Sequence, residues 1–325
     1  EDGAGARESF FVEALGAWIA GDWLHAVRAL NAAIRLHPND ALAIKLAHGM
    51  RFMLGDAAGM RSELEEALPH WSADMPTFGY ILGCHAFALE ETGDYRRAEA
   101  VGRHAVELEP RDAWGLHAVA HVMEMQGRAE EGLAWFDAHA ADHAHCNNFD
   151  YHIWWHRALF ELELDRPDAA LALYDSRIRQ EHTDDFRDVA NGASMLWRLE
   201  HAGLDVGDRW EELADIAAAH RDDHVLVFAD AHYVLALVGA GRLDEADALI
   251  ASARKAATQP RSTQSARMAS LGVPLLDGIR AAGSGDPVSA VERTTPVLGD
   301  LSQIGGSHAQ RDVFIQFHAE ASLAA

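Results

Sequence analysis

Trp114, His117, His121 and Glu124 are spaced by three, four and three residues. On a helix of 3.6 residues per turn such spacing places all four on one face. An aromatic ring, two imidazoles and a carboxylate on one stripe can support three kinds of chemistry. Neutral imidazoles ligate a divalent metal such as zinc. Near neutral pH they also carry protons as general acids or bases. Without either, they hydrogen-bond a polar ligand lying on the indole. The pattern recurs downstream as His152, Trp155 and His156, then Ser194, Trp197, Arg198 and His201, then Asp230 and His232. His117, His121, His152 and His156 are the candidate catalytic residues. His117, His121 and His152 are the candidate metal ligands.

The chain holds 20 histidines, so chance alone supplies about one HxxxH pair. Four occur: His117/His121, His139/His143, His152/His156 and His220/His224. Two of them fall in consecutive helical segments. None has the Glu of the metalloprotease pattern HExxH, so that reaction has no support. The plainer alternative is a set of histidines satisfied by hydrogen bonds in a polar interior. No GxSxG elbow is present. Cys84 and His85 are helix neighbours that point apart, so they make no dyad. Gly305-Gly306-Ser307 lacks the spacing of a phosphate-binding loop. Asp184, Asp185 and Asp188 could serve as base or ligand, or simply open a helix.

These side chains must be positioned by a repeat. A turn signal separates amphipathic stretches at Gly21, Gly55, Gly93, Gly127, Gly207, Gly241 and Gly285, with Asp165 filling one place. The steps from 21 to 55, 93 to 127 and 207 to 241 equal the 34 residues of a tetratricopeptide unit. The clearest copy runs from Thr77 to Asp112. Its second helix carries Ala98, Ala105 and Leu108 and stops at Pro110, since proline cannot continue a helix. With the turn glycine as position 15, positions 2, 5, 9 and 12 of each first helix face inward, and Trp114, His117, His121 and Glu124 occupy them. The expected fold is an all-α tetratricopeptide-like superhelix, an α-solenoid of about eight helix pairs in one domain over residues 1–325, curled around an internal polar cavity. Residues 137–150, 259–270 and 299–307 are expected to be loops.

Composition narrows the partners. A net charge of −24 repels a phosphate backbone and an anionic bilayer, so neither nucleic acid nor membrane is expected. No run of 18 apolar residues occurs. Two cysteines without a CxxC form no disulfide framework, which favours a reducing, cytoplasmic setting.

Several segments together resemble the tetratricopeptide repeat protein 38 family. They are Asp112-Ala113-Trp114 with His117 and His121, His152 with Trp155-His156-Arg157, and Ser194-Met195-Leu196-Trp197-Arg198. Asp223-His224-Val225-Leu226 leading to Asp230-Ala231-His232, and Gly305-Gly306-Ser307 with Ala309-Gln310-Arg311-Asp312-Val313-Phe314 and Gln316, complete the set. The resemblance runs from about residue 10 to the end. It implies a helical-repeat fold and names polar positions, Gln310, Arg311 and Asp312 among them, but no reaction. Members of the family usually carry a longer N-terminal segment, which is expected to be missing here. Arg311 offers a planar fork to an anion, and Asp312 could orient it. The expected function is binding of a small polar molecule or short peptide between Trp114, Trp155 and Trp197, with histidines and an arginine as polar contacts. The alternatives are an enzyme using those histidines, and a scaffold for protein partners. No cofactor is required by the sequence beyond the divalent metal that the histidines could hold.

Overall fold

The computed structural model describes residues 5–259 and 262–325. All regular structure among them is helical. Eight helix pairs follow one another: α1 (Ala6–Ile19) and α2 (Trp23–Leu36), α3 (Ala41–Met53) and α4 (Ala57–Ala67), α5 (Phe78–Glu91) and α6 (Tyr95–Leu108), α7 (Ala113–Met125) and α8 (Ala129–Ala138), α9 (Phe149–Glu163) and α10 (Pro167–Leu173), α11 (Phe186–His201) and α12 (Arg209–Ala219), α13 (Val227–Gly239) and α14 (Leu243–Ala256), and, after the short α15 (Thr263–Arg267), α16 (Val273–Gly283) and α17 (Pro287–Thr294). α18 (His308–Ala324) ends the chain. No described helix is long and apolar enough to cross a membrane.

One turn is repeated in all eight pairs. The second residue after the first helix adopts positive φ, from +58° at Asp165 to +88° at Gly203. Its N–H bonds the carbonyl three residues back, and the next N–H bonds the carbonyl five back, as in Gly93 N to Glu90 O (2.8 Å) and Asp94 N to Leu89 O (2.9 Å). This double bond pattern satisfies the orphan carbonyls of the helix end and requires a left-handed residue, hence glycine. Asp22, Asp56 and Asp286 then cap the second helix, each accepting from the N–H three residues on.

The sixth turn corrects the expected register. Gly203, not Gly207, makes these bonds, through Glu200 O and Leu199 O. Gly207 also has positive φ, +63°, but lies in the loop leading to α12. Position 15 therefore moves back four residues. The inward positions of α11 become Ala190, Ala193, Trp197 and Glu200 rather than Ser194, Trp197 and His201. Two expected loops are also partly helical. Thr263–Arg267 is α-helix continuing into a π-helical turn at Met268–Gly272, and Thr295–Ile304 winds as 3-10 helix. Residues 260 and 261 of the first loop lie outside the described residues. The expected loop at 137–150 holds, with turns between Ala138 and Phe149.

The described residues form two compact units. Unit 1 reaches Cys146 and includes Ser262 and Thr263; unit 2 begins at Asn147 and resumes at Gln264. In unit 1 the first helices of successive pairs pack on one another, α3 on α5 and α5 on α7. In unit 2 α9 packs on α11, α11 on α13, and α13 on α16, while α18 returns against α11 and α17. Leu30, Ile44, Leu64, Leu89 and Leu116 are fully enclosed. Each contributes roughly 1.5–3 kcal/mol by leaving water.

Candidate functional site

Unit 1 assembles its polar interior from the first helices of three pairs. The register that selects Trp114, His117 and His121 on α7 selects Lys45 and Phe52 on α3, and Phe87 and Glu90 on α5. The structure brings these together. The Phe87 ring lies 4.9 Å from Trp114, stacks on His117 at 5.6 Å and meets His121 edge-on at 5.4 Å. His48, one helical turn from Phe52, has ring contacts with Phe87 and Trp114. His117 and His121 are buried, at 2% and 0% exposure, so they lie in a packed interior rather than a wet channel.

Their nitrogens are ordered. The Nε2 atoms of His117 and His121 are 3.0 Å apart. His121 Nδ1 faces Glu90 Oε2 at 3.6 Å, and both side chains are fully enclosed. A carboxylate behind Nδ1 favours the tautomer that is protonated there, which makes Nε2 the acceptor in its contact with His117. Ligand atoms of Glu90, Glu91 and His121 also fall within 4.8 Å of one another. Glu90, on the preceding repeat, is thus the carboxylate beside His121, the place that sequence reasoning gave to Glu124.

A second polar group adjoins Trp114. Lys45 Nζ sits 3.9 Å from the Trp114 ring centroid and donates to Cys84 Sγ at 3.7 Å. Burial pushes the Cys84 thiol up, with Lys45 pulling it back. Asp112, at the start of α7 and 1% exposed, is pushed up to about 7 by burial, opposed by Lys45 and by the backbone N–H groups of Gly115 and Trp114. Its carboxylate occupies the space left by the missing side chain of Gly83, where a Cβ would collide with it. Burial drives His48 well below the usual imidazole range, and neither of its ring nitrogens has a hydrogen-bond partner.

Unit 2 repeats the histidine arrangement on α9. His152 and His156 present Nε2 atoms 3.2 Å apart, and His152 Nδ1 lies 3.0 Å from Asn191 Oδ1 on α11. Burial lowers His152 to about 4, against the hydrogen bond that its Nδ1–H donates to Asn191 Oδ1. Trp155 stacks on His152 and donates its Nε1–H to Ser194 Oγ at 3.1 Å. The Arg198 guanidinium stands 5.7 Å from the Trp155 ring, donates to Ser194 O and Ala309 O, and lies 3.7 Å from Asp312. Trp197 is buried and stacks on His201 at 3.7 Å.

The remaining predicted residues have defined contacts. His232 is buried, donates Nδ1–H to Phe228 O at 2.7 Å, and is lowered by burial to about 4. Asp230 is bonded to His224 at 3.1 Å. Gln310 forms a capping box with Ser307: its side-chain oxygen accepts from Ser307 N at 3.0 Å, and its own N–H donates to Ser307 Oγ. Part of the Gly305–Gln316 segment is therefore a helix start, with a packing reason for its polar residues. Arg311 donates to Gly306 O. Asp312 meets Arg198 and Gln316, so Arg198 takes the partner expected for Arg311.

Lys45, His48, Glu90, Asp112 and Asn191 were missed by sequence reasoning. Lys45 and Glu90 carried a usable signal, since they occupy inward positions 5 and 12 of their own repeats. Asp112 stood in the family-like segment that opens α7, but its role, like that of Asn191, arises from contacts between helices.

No protein-family model matches the chain. Among solved structures it is similar to a tetratricopeptide repeat protein from Parabacteroides merdae, with 11% identity, TM-score 0.40, and coverage of 97% of this chain and 99% of that one. It is similar to the C-terminal part of a TPR repeat-containing protein from Cytophaga hutchinsonii, with 9% identity, TM-score 0.40, and coverage of 79% and 98%. It is also similar to the TPR2AB domain of yeast Sti1 in a complex with pHSP90, with 14% identity, TM-score 0.31, and coverage of 86% and 98%.

Proposed function

We propose that this helical-repeat protein binds a divalent ion of the zinc class on paired imidazole nitrogens, and through it a small polar or anionic ligand. The observation that carries this reading is the His117/His121 pair, with its Nε2 atoms 3.0 Å apart and Glu90 behind His121 Nδ1. Tetrahedral zinc at about 2.0–2.1 Å from each nitrogen sets two ligand nitrogens roughly 3.3 Å apart. A few tenths of an ångström of side-chain movement would therefore convert the observed pair into two ligands. The His152/His156 pair supports the same chemistry, with Asn191 as the group behind Nδ1. The His117/His121 pair sits among aromatic rings in an interior that excludes water, where an ion's charge acts strongly on a bound ligand, and His152 is only half-buried.

A second reading has an observation of its own. Glu90 against His121 Nδ1 is the orienting contact of an acid–base dyad, which needs no metal.

Zinc content by mass spectrometry of tag-free protein, incubated with zinc and then desalted, separates the two. The metal reading expects stoichiometric zinc in the wild type and its loss in His121→Gln, with helicity retained by circular dichroism. Wild-type protein retaining less than about a tenth of an equivalent would refute it, because buried nitrogen sites hold zinc tightly. Thermal melting against a metabolite panel, with and without zinc, then identifies the ligand class.

A further inference from the structure

Unit 2 holds a cavity apart from these histidine pairs. It opens where residues 184–186 at the start of α11, the 220–225 loop after α12 and the first turns of α13 meet. Its volume is about 170 Å³. A cavity of roughly 150 Å³ accommodates benzene, so this one takes about six or seven heavy atoms.

Its walls are rich in carboxylates. Asp184, Asp185, Asp223 and Asp230 line it, together with Phe186 and Tyr233. The Tyr233 hydroxyl is pushed up by burial and then by the charges of Asp223, Asp230, Asp185 and Asp184, so all four carboxylates act at one point. Arg187 neutralises Asp185 at 2.8 Å. His220 bonds Asp223 at 2.7 Å and stands 3.7 Å from Asp184. The contact with Asp230 and the charges of Asp222 and Asp223 hold His224 above the usual imidazole range against burial, and the four carboxylates still outnumber the cations around them.

Asp230 points to a ligand. It is 1% exposed and lines the cavity. Oδ1 receives His224 Nδ1 at 3.1 Å, whereas Oδ2 has no hydrogen-bond partner. A buried carboxylate oxygen left unmatched is costly, and a cationic donor would satisfy it. His224 is itself held in a left-handed conformation, φ +46°, by Asp230 and by Ser252 at 2.9 Å. That strained residue fixes which oxygen of Asp230 is bonded and which is left unmatched.

The clusters tight enough for one metal ion among the described residues involve other side chains. An organic cation reaches carboxylates spaced more widely, and aromatic walls accept both its charge and its stem. We propose that this cavity binds the cationic end of a small organic amine: a primary ammonium or guanidinium group on a short apolar stem, either free or as a lysine or arginine side chain of a peptide.

Isothermal titration calorimetry at low ionic strength, in the presence of a metal chelator, tests this independently of the zinc reading. The titrants are butylammonium chloride, guanidinium chloride, N-acetyl-lysine amide, butyrate and butanol. Saturable binding of at least one cation is expected, with none for butyrate or butanol. Asp230→Asn should weaken it at least about tenfold, since a charged hydrogen bond becomes neutral. Asp223→Asn, at a half-exposed position that leaves folding intact, should weaken it about threefold and reduce its salt dependence. Binding of the lysine amide alongside butylammonium assigns the peptide source; binding of free amines alone assigns a metabolite. No saturable binding by any of the cations overturns the proposal, as does unchanged affinity in Asp230→Asn. Should that variant fail to fold, unchanged affinity in Asp223→Asn overturns it.

Discussion

Asp112→Asn should make the protein more stable, and increasingly so as pH rises. The carboxyl lies at the start of α7, 1% exposed, beside Gly83 and within the field of Lys45. Burial raises it to about 7 in the folded chain, from an ordinary 3.8. The folded state therefore binds more protons than the unfolded one between these values, and stability falls as pH climbs through that window. Each tenfold gain in proton affinity is worth about 1.4 kcal/mol, so the whole rise sets a ceiling of roughly 4 kcal/mol. About 2 kcal/mol of this falls between roughly pH 5.5 and 8. Asparagine keeps the shape and an acceptor oxygen for the N–H groups of Trp114 and Gly115, but never ionises. Urea unfolding of both proteins at several pH values measures the difference. The gap in favour of the variant should widen by about 2 kcal/mol from roughly pH 5.5 to 8. A gap that stays constant means that Asp112 titrates normally. A gap that narrows means that Lys45 outweighs burial and the carboxylate is stabilising.

Three further outcomes are expected. Gly83→Ala puts a methyl into the Asp112 carboxylate and should cost about 2–4 kcal/mol in urea unfolding, whereas Gly93→Ala, with φ +79° and nothing within 4 Å of its Cβ, should cost only about 1–2 kcal/mol; equal costs would mean that Asp112 moves aside freely. Glu90→Gln should lower zinc affinity by about 10- to 100-fold in competition with a chelating dye, because the neutral amide no longer supports His121; unchanged affinity would remove Glu90 from the site. Trp155→Phe deletes the bond to Ser194 Oγ and should lower stability by about 1–3 kcal/mol, leaving zinc content unchanged; loss of zinc would show that the indole also positions His152.

The repeat was legible because it is written in local chemistry. A left-handed residue after every first helix is needed at eight places, and glycine or an aspartate appears at each. Helical periodicity then put Trp114, His117 and His121 on one face, and the structure keeps them together. Where two glycines stood close, at 203 and 207, sequence could not say which one ended α11, because both adopt the same backbone sign and only the hydrogen bonds distinguish them. The partners of the histidines were beyond local reach for the same kind of reason. Glu90 lies 31 residues before His121, and Asn191 lies 39 after His152. Nothing local distinguished Asn191 from a solvated polar residue. Burial was likewise a tertiary outcome: the sequence placed polar groups on an inward face, but only the packing of α3, α5 and α7 removed water from them. Residue type and spacing determined which side chains share a helix face. Which carboxylate stands behind which imidazole was decided by the stacking of one repeat on the next, since helix-to-helix contacts depend on the summed geometry of many residues and not on any single motif.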